Sequence, residues 1–424
     1  MRSLYQKGRR RKKSKVMRRT AVLRRAEFEA LDFDMRMAMI QQLVPVAVMA
    51  AVEEMEREVE ELAGPWYAHG KDKSVHRNGY WPSSIMLAGQ RVPVPVPRVR
   101  DKDGEIPLKS YEVLRDGTSV DDQMFRQVLY GVSCRNYEAA AEAVPGAIGL
   151  SSSTVSRRFK EASSDKLRAF QQRELSNEDI VALFIDGKTF ADDQMVVALG
   201  ITIEGHKRIL GFVQTTTENE RAVSQFLNNL LGRGLNVDKG LLAIVDGAKG
   251  LRSALKKTFR KRVVIQRCHW HKRENVASYL PTSEQAAMRR QLQRAYDRPT
   301  YEEAQNALLK IRRELEQRNQ SATNSLDEGF EETLTLHRLG LFGQLGQSFK
   351  TTNCLESVNS QIADRCGKVD YWHNSNQKHR WLAAALLDIE PRLQPVRGRQ
   401  HLPLLRQCII KELKLEQPQV VLAA

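Results

Sequence analysis

Three carboxylates stand out by type, neighbours and order: Asp186, Asp246 and Glu356. Asp186 ends the apolar run Val181-Ala182-Leu183-Phe184-Ile185, Asp246 ends Leu241-Leu242-Ala243-Ile244-Val245, and a glycine follows each. A short, wholly apolar run reads as a strand buried on both faces. A carboxylate at its C-terminal end stands at the sheet edge, where α/β folds concentrate their chemistry. Asp-Gly is also an ordinary turn, but the recurrence of the whole pattern favours chemistry. Phosphodiesters resist nucleophiles, and two divalent ions about 4 Å apart overcome this by activating the attacking oxygen and stabilising the leaving one. Magnesium prefers carboxylate oxygens, so such a site takes two or three acids from separate elements. Glu356 is the best-placed third acid, adjacent to Leu355 in the apolar stripe Leu355, Val358, Ile362 of an amphipathic helix. The alternative for Glu356 is a capping box, with Asn353 as its cap. Asp192 and Asp193 fall in a hairpin loop, and Asp364 and Asp370 lack a strand context.

The elements that must position these acids follow in order. Strands are expected at Val181–Asp186, Val196–Ile203 and Arg208–Val213, joined by short loops as an antiparallel meander. Helix Glu218–Leu231, strand Leu241–Asp246, helix Lys249–Phe259, strand Arg262–Arg267 and a helix from about His271 follow. The order β-β-β-α-β-α-β-α is that of the ribonuclease H fold, an α/β core with a mixed five-stranded sheet and flanking helices. There the first and fourth strands are neighbours, which would bring Asp186 and Asp246 together. The core is read as residues 176–281 and 346–395, interrupted by a helical insertion at 282–345. A basic tail of weak structure, 396–424, ends the chain.

Upstream, residues 26–175 read as a mostly helical DNA-binding region. His76-Arg77-Asn78-Gly79-Tyr80 looks like a turn, and Arg91 to Arg98 alternates proline and valine, which allows an edge strand or a polyproline connector but no central strand. After Pro145-Gly146, the segment Leu150 to Phe159 resembles the second helix of a helix-turn-helix, with Ser153, Thr154, Ser156, Arg157 and Arg158 as candidate DNA contacts. An ordinary capped surface helix has the same look.

The 424 residues carry 67 Lys+Arg against 51 Asp+Glu, a net charge of +16. This points to a polyanionic partner, most simply double-stranded DNA. Twelve of the first 25 residues are Lys or Arg and none is acidic; in this arm, Arg9, Arg10, Arg11, Lys12 and Lys13 are candidate phosphate contacts. Five scattered cysteines fit a reducing compartment. The longest apolar run, Leu43 to Val52, is too short to span a bilayer and contains Pro45. A cytoplasmic, nucleoid-associated protein without membrane contact is expected.

Cys268-His269-Trp270-His271 follows the fifth strand. Its spacing admits half of a zinc site, but a structural zinc takes four ligands and no second pair is evident, so zinc is not expected. Local packing, a metal site completed by Cys354 or Cys366, and DNA contact by Trp270 remain as readings.

Taken in order, Phe184-Ile185-Asp186-Gly187, Ile244-Val245-Asp246-Gly247, Cys268-His269-Trp270-His271-Lys272-Arg273-Glu274-Asn275-Val276 and Thr352-Asn353-Cys354-Leu355-Glu356-Ser357-Val358-Asn359 resemble the Mutator-like transposases of bacterial insertion sequences. Weaker similarity extends upstream through Arg77-Asn78-Gly79, Pro97 to Asp101 and Ser153 to Ser156. The resemblance implies a DDE transposase in which Asp186, Asp246 and Glu356 hold two Mg²⁺ (or Mn²⁺) ions. Such an enzyme would cut at terminal inverted repeats with water, and the freed 3′-hydroxyl would attack target DNA. It would work as a homo-oligomer in a synaptic complex. Cys268 and His271 would be the family's signature pair. The other classes to separate are a catalytically silent, domesticated DNA-binding protein and a ribonuclease H-like nuclease.

Overall fold

The computed structural model describes residues 25–36, 44–66, 74–87, 90–116, 125–130, 152–190, 192–215 and 219–415. Arg9 to Lys13 of the basic arm lie outside them, as do residues 131–151, which hold the first part of the expected helix-turn-helix. The chain divides into two compact units, residues 1–162 and 163–424.

In the first unit, helix α1 (Val44–Ala63) covers the hairpin β1 (His76–Leu87) and β2 (Gln90–Arg100). Met55, Val59, Ile85, Val92, Val94 and Val96 form the core between them. Within this mostly helical region lies a three-stranded sheet, in the order β1-β2-β3. Prolines 93, 95 and 97 hid it. They sit at alternate positions and so remove N–H groups from one edge of β2 only. Beyond β1, and among the described residues, β2 pairs only through Val99 and Arg100, with β3 (Glu105–Ile106). The expected turn at Asn78-Gly79 is instead a bulge within β1: the register slips between Arg77 and Tyr80, and Gly79 takes φ +70°. The acidic face of α1 is engaged as well as solvated. Glu58 accepts the backbone N–H groups of Lys109 (2.8 Å) and Ser110 (2.9 Å), capping helix α2 (Lys109–Asp116).

Helix α3 (Ser152–Gln172) precedes the second unit's sheet and packs Leu167 and Phe170 into that unit's core. The strands are β4 (Ile180–Phe190), β5 (Asp193–Thr202), β6 (Lys207–Thr215), β7 (Leu241–Val245) and β8 (Val263–Arg267). Their spatial order is β6-β5-β4-β7-β8. β4, β5 and β6 form the expected antiparallel meander, and β7 and β8 add in parallel on the other side of β4. Helices α4 (Glu220–Gly232) and α5 (Lys249–Phe259) cover one face, packing on Leu183, Ile185, Ala243 and Val245. The other face, with Phe184, Leu242 and Ile244, is covered by helices from the C-terminal third.

Between the two passes over the sheet come α6 (His269–Ser278), α7 (Thr282–Tyr296), α8 (Tyr301–Glu316) and α9 (Gln320–Asp327). They share a core of their own, built on Val276, Leu292, Tyr296, Leu308 and Leu326. The chain returns through α10 (Phe342–Phe349), α11 (Asn353–Cys366) and α12 (Ser375–Ile389). The weak tail expected after Pro391 is corrected: α13 (Leu402–Glu412) inserts Leu402, Leu405 and Ile409 into the sheet core. Arg406 ties it down by donating to the carbonyls of Gly240 (2.6 Å) and Ile180 (2.8 Å).

Phe184 lies at the centre of this packing, fully buried, with its ring 5.6 Å from that of Phe349. Phe184→Ala should cost about 3–5 kcal/mol by opening a cavity. A urea unfolding midpoint equal to that of the parent would show that this face is not the core.

Candidate active site

The parallel register of β4 and β7 runs Ala182↔Leu242, Leu183↔Ala243, Phe184↔Ile244, Ile185↔Val245. Asp186 and Asp246 are the residues that directly follow the last pair. Residues two apart on a strand share a face. Asp186, within β4, therefore shares with Phe184 the face covered by α11, while Asp246 lies one residue beyond the end of β7. Asp186 is only 7 % exposed. Its Asp-Gly pair is not a strand exit, because β4 continues to Phe190 along β5. What ends at Asp186 is the parallel ladder. At Asp246 the turn reading and the site reading both hold. Its Oδ1 accepts the Ala248 N–H (3.0 Å), and Gly247 takes φ +100°, where an added Cβ would collide with the Arg267 guanidinium.

Glu356 is exposed, in the first turn of α11, and the helix buries Leu355, Val358 and Ile362 against the sheet. Asp186 and Asp246 thus each follow the last pair of the β4–β7 ladder, with Glu356 on a helix packed over the face that carries Phe184 and Ile244. Among the described residues, no three His, Cys, Asp or Glu side chains gather closely enough to hold one ion. The capping box does not form with Asn353 as cap: Asn353 is already inside the helix and Thr352 holds the cap position. The Thr352 hydroxyl turns instead to Cys268 Sγ (3.7 Å) and His271 Nδ1 (3.5 Å).

Cys268 is buried at the junction of β8 and α6, and its N–H donates to the Val245 carbonyl (2.8 Å). Burial raises its thiol pKa, and the backbone N–H groups of His271 and Thr352 offset only part of that. The Cys354 thiol lies by the Ser348 carbonyl (3.9 Å) and Cys366 lines a separate cavity, so neither pairs with Cys268. Trp270 points outward, 44 % exposed.

The family described as transposase, Mutator family, matches residues 19–394 of this chain. The chain belongs to that family. Among the relatives of this Mutator-family protein is the transposase for insertion sequence element IS256 in transposon Tn4001 of Staphylococcus aureus. It is 27% identical over 340 residues, covering 76% of this chain and 83% of the relative. The transposase for ISRM5 of Rhizobium meliloti is 27% identical over 351 residues (79% and 84%), and that for IS406 of Burkholderia multivorans 26% over 342 residues (76% and 84%).

In this Mutator-family chain the other acids have plain surroundings. Asp193 pairs with Lys378 (2.6 Å), and Asp192, Asp364 and Asp370 are exposed. On α3, Ser153, Ser156 and Arg157 are exposed, Thr154 and Arg158 half-buried, and Val155 and Phe159 buried. Arg157 also faces Glu161 (3.9 Å). The residue that sequence reasoning passed over is Thr352. It stands in the quoted block, but the direction of its hydroxyl is a tertiary fact.

The segment after β8 is also where buried polar groups concentrate. Lys272 donates to the carbonyls of Ser325 and Glu328, and Arg267 donates to the Glu328 carbonyl (2.6 Å), so two cations meet the C-terminus of α9. Burial, then the charge of Arg267, lowers Lys272 to about 7. His269 bonds the Thr333 carbonyl (2.7 Å) through Nε2 and stacks on Tyr296 with centroids 4.2 Å apart. Complete burial pushes its pKa down to about 3. The folded protein therefore holds His269 neutral, while the unfolded chain takes up the proton near pH 6.5. This contribution to stability is full above about pH 6.5 and is lost progressively as pH falls toward 3. Denaturant titrations from pH 7 to pH 4 should show that loss, and His269→Phe, which keeps the stacked ring, should flatten it. An identical slope in the variant would remove His269 as the source.

Proposed function

We propose that this protein is a DDE transposase that binds the terminal inverted repeats of an insertion sequence and catalyses metal-dependent strand cleavage and strand transfer. The observation that supports the reading is the β4–β7 register, whose last pair, Ile185 and Val245, directly precedes Asp186 and Asp246, with the Glu356 helix packed on one face of the same sheet. The mixed sheet in the order third-second-first-fourth-fifth supports a ribonuclease H-like core. The excess of basic residues, with twelve in the first 25, supports DNA as the partner. Among the described residues no helix is long and apolar enough to cross a membrane.

The donor chemistry fits magnesium. Two carboxylates at neighbouring strand positions repel each other unless a cation lies between them, and hard oxygen donors select Mg²⁺ or Mn²⁺. Asp186 and Asp246 would hold the ions, and Glu356, exposed on α11, would complete the set by turning inward when they are bound. Bound there, two ions would activate the attacking oxygen and neutralise the leaving one. The chain's own contribution is rigidity: the sheet fixes both aspartates, and α11 is held on it by Leu355, Val358 and Ile362. Water attack would free a 3′-hydroxyl at each element end. That hydroxyl would then displace a target phosphodiester oxygen, with no covalent protein intermediate.

Asp186→Asn is expected to abolish nicking and strand joining on DNA carrying the element's ends, in Mg²⁺ or Mn²⁺, while end binding persists. Cleavage at the parent's rate would sink the site assignment. Cleavage of any DNA by the parent excludes a silent DNA-binding protein, and cleavage without joining would mark a nuclease. Binding should also weaken steeply with salt. Removing residues 1–25 should flatten the log K against log salt plot by about 0.9 for each phosphate that the arm neutralises. An unchanged slope would show that the arm does not touch phosphate.

A further inference from the structure

We propose that Thr352, Cys268 and His271 form a positioning junction that locks the first turn of the Glu356 helix to the end of the strand that presents Asp246. The inference rests on the reading of the three carboxylates as one metal site, and it assigns a role to the Cys-x-x-His spacing.

The connections form an unbroken path. One residue before Asp246, the Val245 carbonyl accepts the Cys268 N–H at 2.8 Å. Cys268 Sγ accepts the Thr352 hydroxyl proton at 3.7 Å. The Thr352 carbonyl in turn accepts the N–H groups of Leu355 (2.8 Å) and Glu356 (3.1 Å). A second strut lies beside it, where the His269 N–H donates to the Lys350 carbonyl (2.9 Å). A hydroxyl has one proton and two lone pairs. With its proton on sulfur, Thr352 Oγ1 is free to accept from His271 Nδ1 at 3.5 Å, which selects the Nδ1–H tautomer. Cys268 at the cap of α6 and His271 three residues on lie on one face of the helix start. The spacing is thus what a single hydroxyl needs to be gripped from two sides. Cys268 and Thr352 are both fully buried, so water cannot substitute for either partner.

The junction matters because the third carboxylate is the least constrained of the three. Asp186 and Asp246 are set by strand register, whereas Glu356 is exposed on the first turn of a helix from a distant part of the chain. A metal site tolerates errors of only about 0.5 Å in its ligands. Loss of groups that orient ligands costs about 10–100-fold in metal affinity. The junction fixes the α11 terminus against the Asp246 strand end and leaves only the Glu356 side chain to move.

The test uses the full-length protein bound to DNA carrying the element's ends, with Mn²⁺ binding read by titration calorimetry and thermal unfolding read alongside. Thr352→Val should weaken Mn²⁺ binding about 10–100-fold, and Thr352→Ser, which keeps the hydroxyl, should restore it. His271→Ala, at a partly exposed ring, supplies a second variant that does not hollow the core, and it should weaken Mn²⁺ binding without a matching loss of thermal stability. In a Glu356→Gln background, Thr352→Val should add no further loss, because the junction acts through that carboxylate. The proposal is overturned if Thr352→Val and His271→Ala bind Mn²⁺ like the parent while Asp186→Asn does not. It is also overturned if Thr352→Ser fails to rescue, or if the loss adds in full to that of Glu356→Gln; either result makes the junction ordinary packing. A parent that takes up no Mn²⁺ on its DNA ends overturns the metal reading itself, and the junction's purpose with it.

Discussion

Parallel pairing between two strands buried on both faces is the constraint on which the rest of the structure depends. β4 from Ile180 to Asp186 and β7 throughout are buried on both faces, so a slip of one residue would turn each strand's whole set of side chains to the opposite face. Because the apolar residues on both faces are committed to separate helix layers, the register is unambiguous. Two carboxylates that follow the last paired residues, Ile185 and Val245, inherit that certainty. The position of Asp186 and Asp246 is therefore a consequence of hydrophobic packing rather than of any interaction between the acids.

The third acid is handled differently. Glu356 is separated from β8 by the helical insertion and its return, and the chain must bring α11 back over the sheet with little error. Polar stitching does this at the edge of β8. The Gln266 amide accepts the Leu336 N–H (2.9 Å) and donates to the Thr333 carbonyl (2.9 Å), and the Thr335 hydroxyl donates to the Ile265 carbonyl (2.7 Å). Buried polar groups are costly unless satisfied, and these interlock, so the return path has one low-energy arrangement. Arg267 and Lys272, bonded to the end of α9, hold the insertion in the same way.

Where the sequence misled, the cause was local chemistry overridden by context. Prolines in β2 argued against a central strand, yet they strip donors from one edge alone, and among the described residues that edge pairs only beyond them. Asn78-Gly79 carries turn residues and makes a bulge. The tail, read as weakly structured, forms a helix because the sheet core receives Leu402, Leu405 and Ile409.

The sequence by itself determined the kind and order of the second unit's strands, the two Asp-ended runs and the block around Glu356, because period, length and residue type are properties of short windows. Family membership was likewise legible in the ordered motifs, and the match over residues 19–394 agrees with it. Only the tertiary structure decided that Asp186 lies on the face of α11, that Glu356 stays exposed over it, and that the Thr352 hydroxyl joins Cys268 to His271. Those are facts about side-chain direction between distant segments, as with the separation of 84 residues between Thr352 and Cys268. No local pattern encodes a direction of that kind; it follows from which faces of strand and helix are buried against each other.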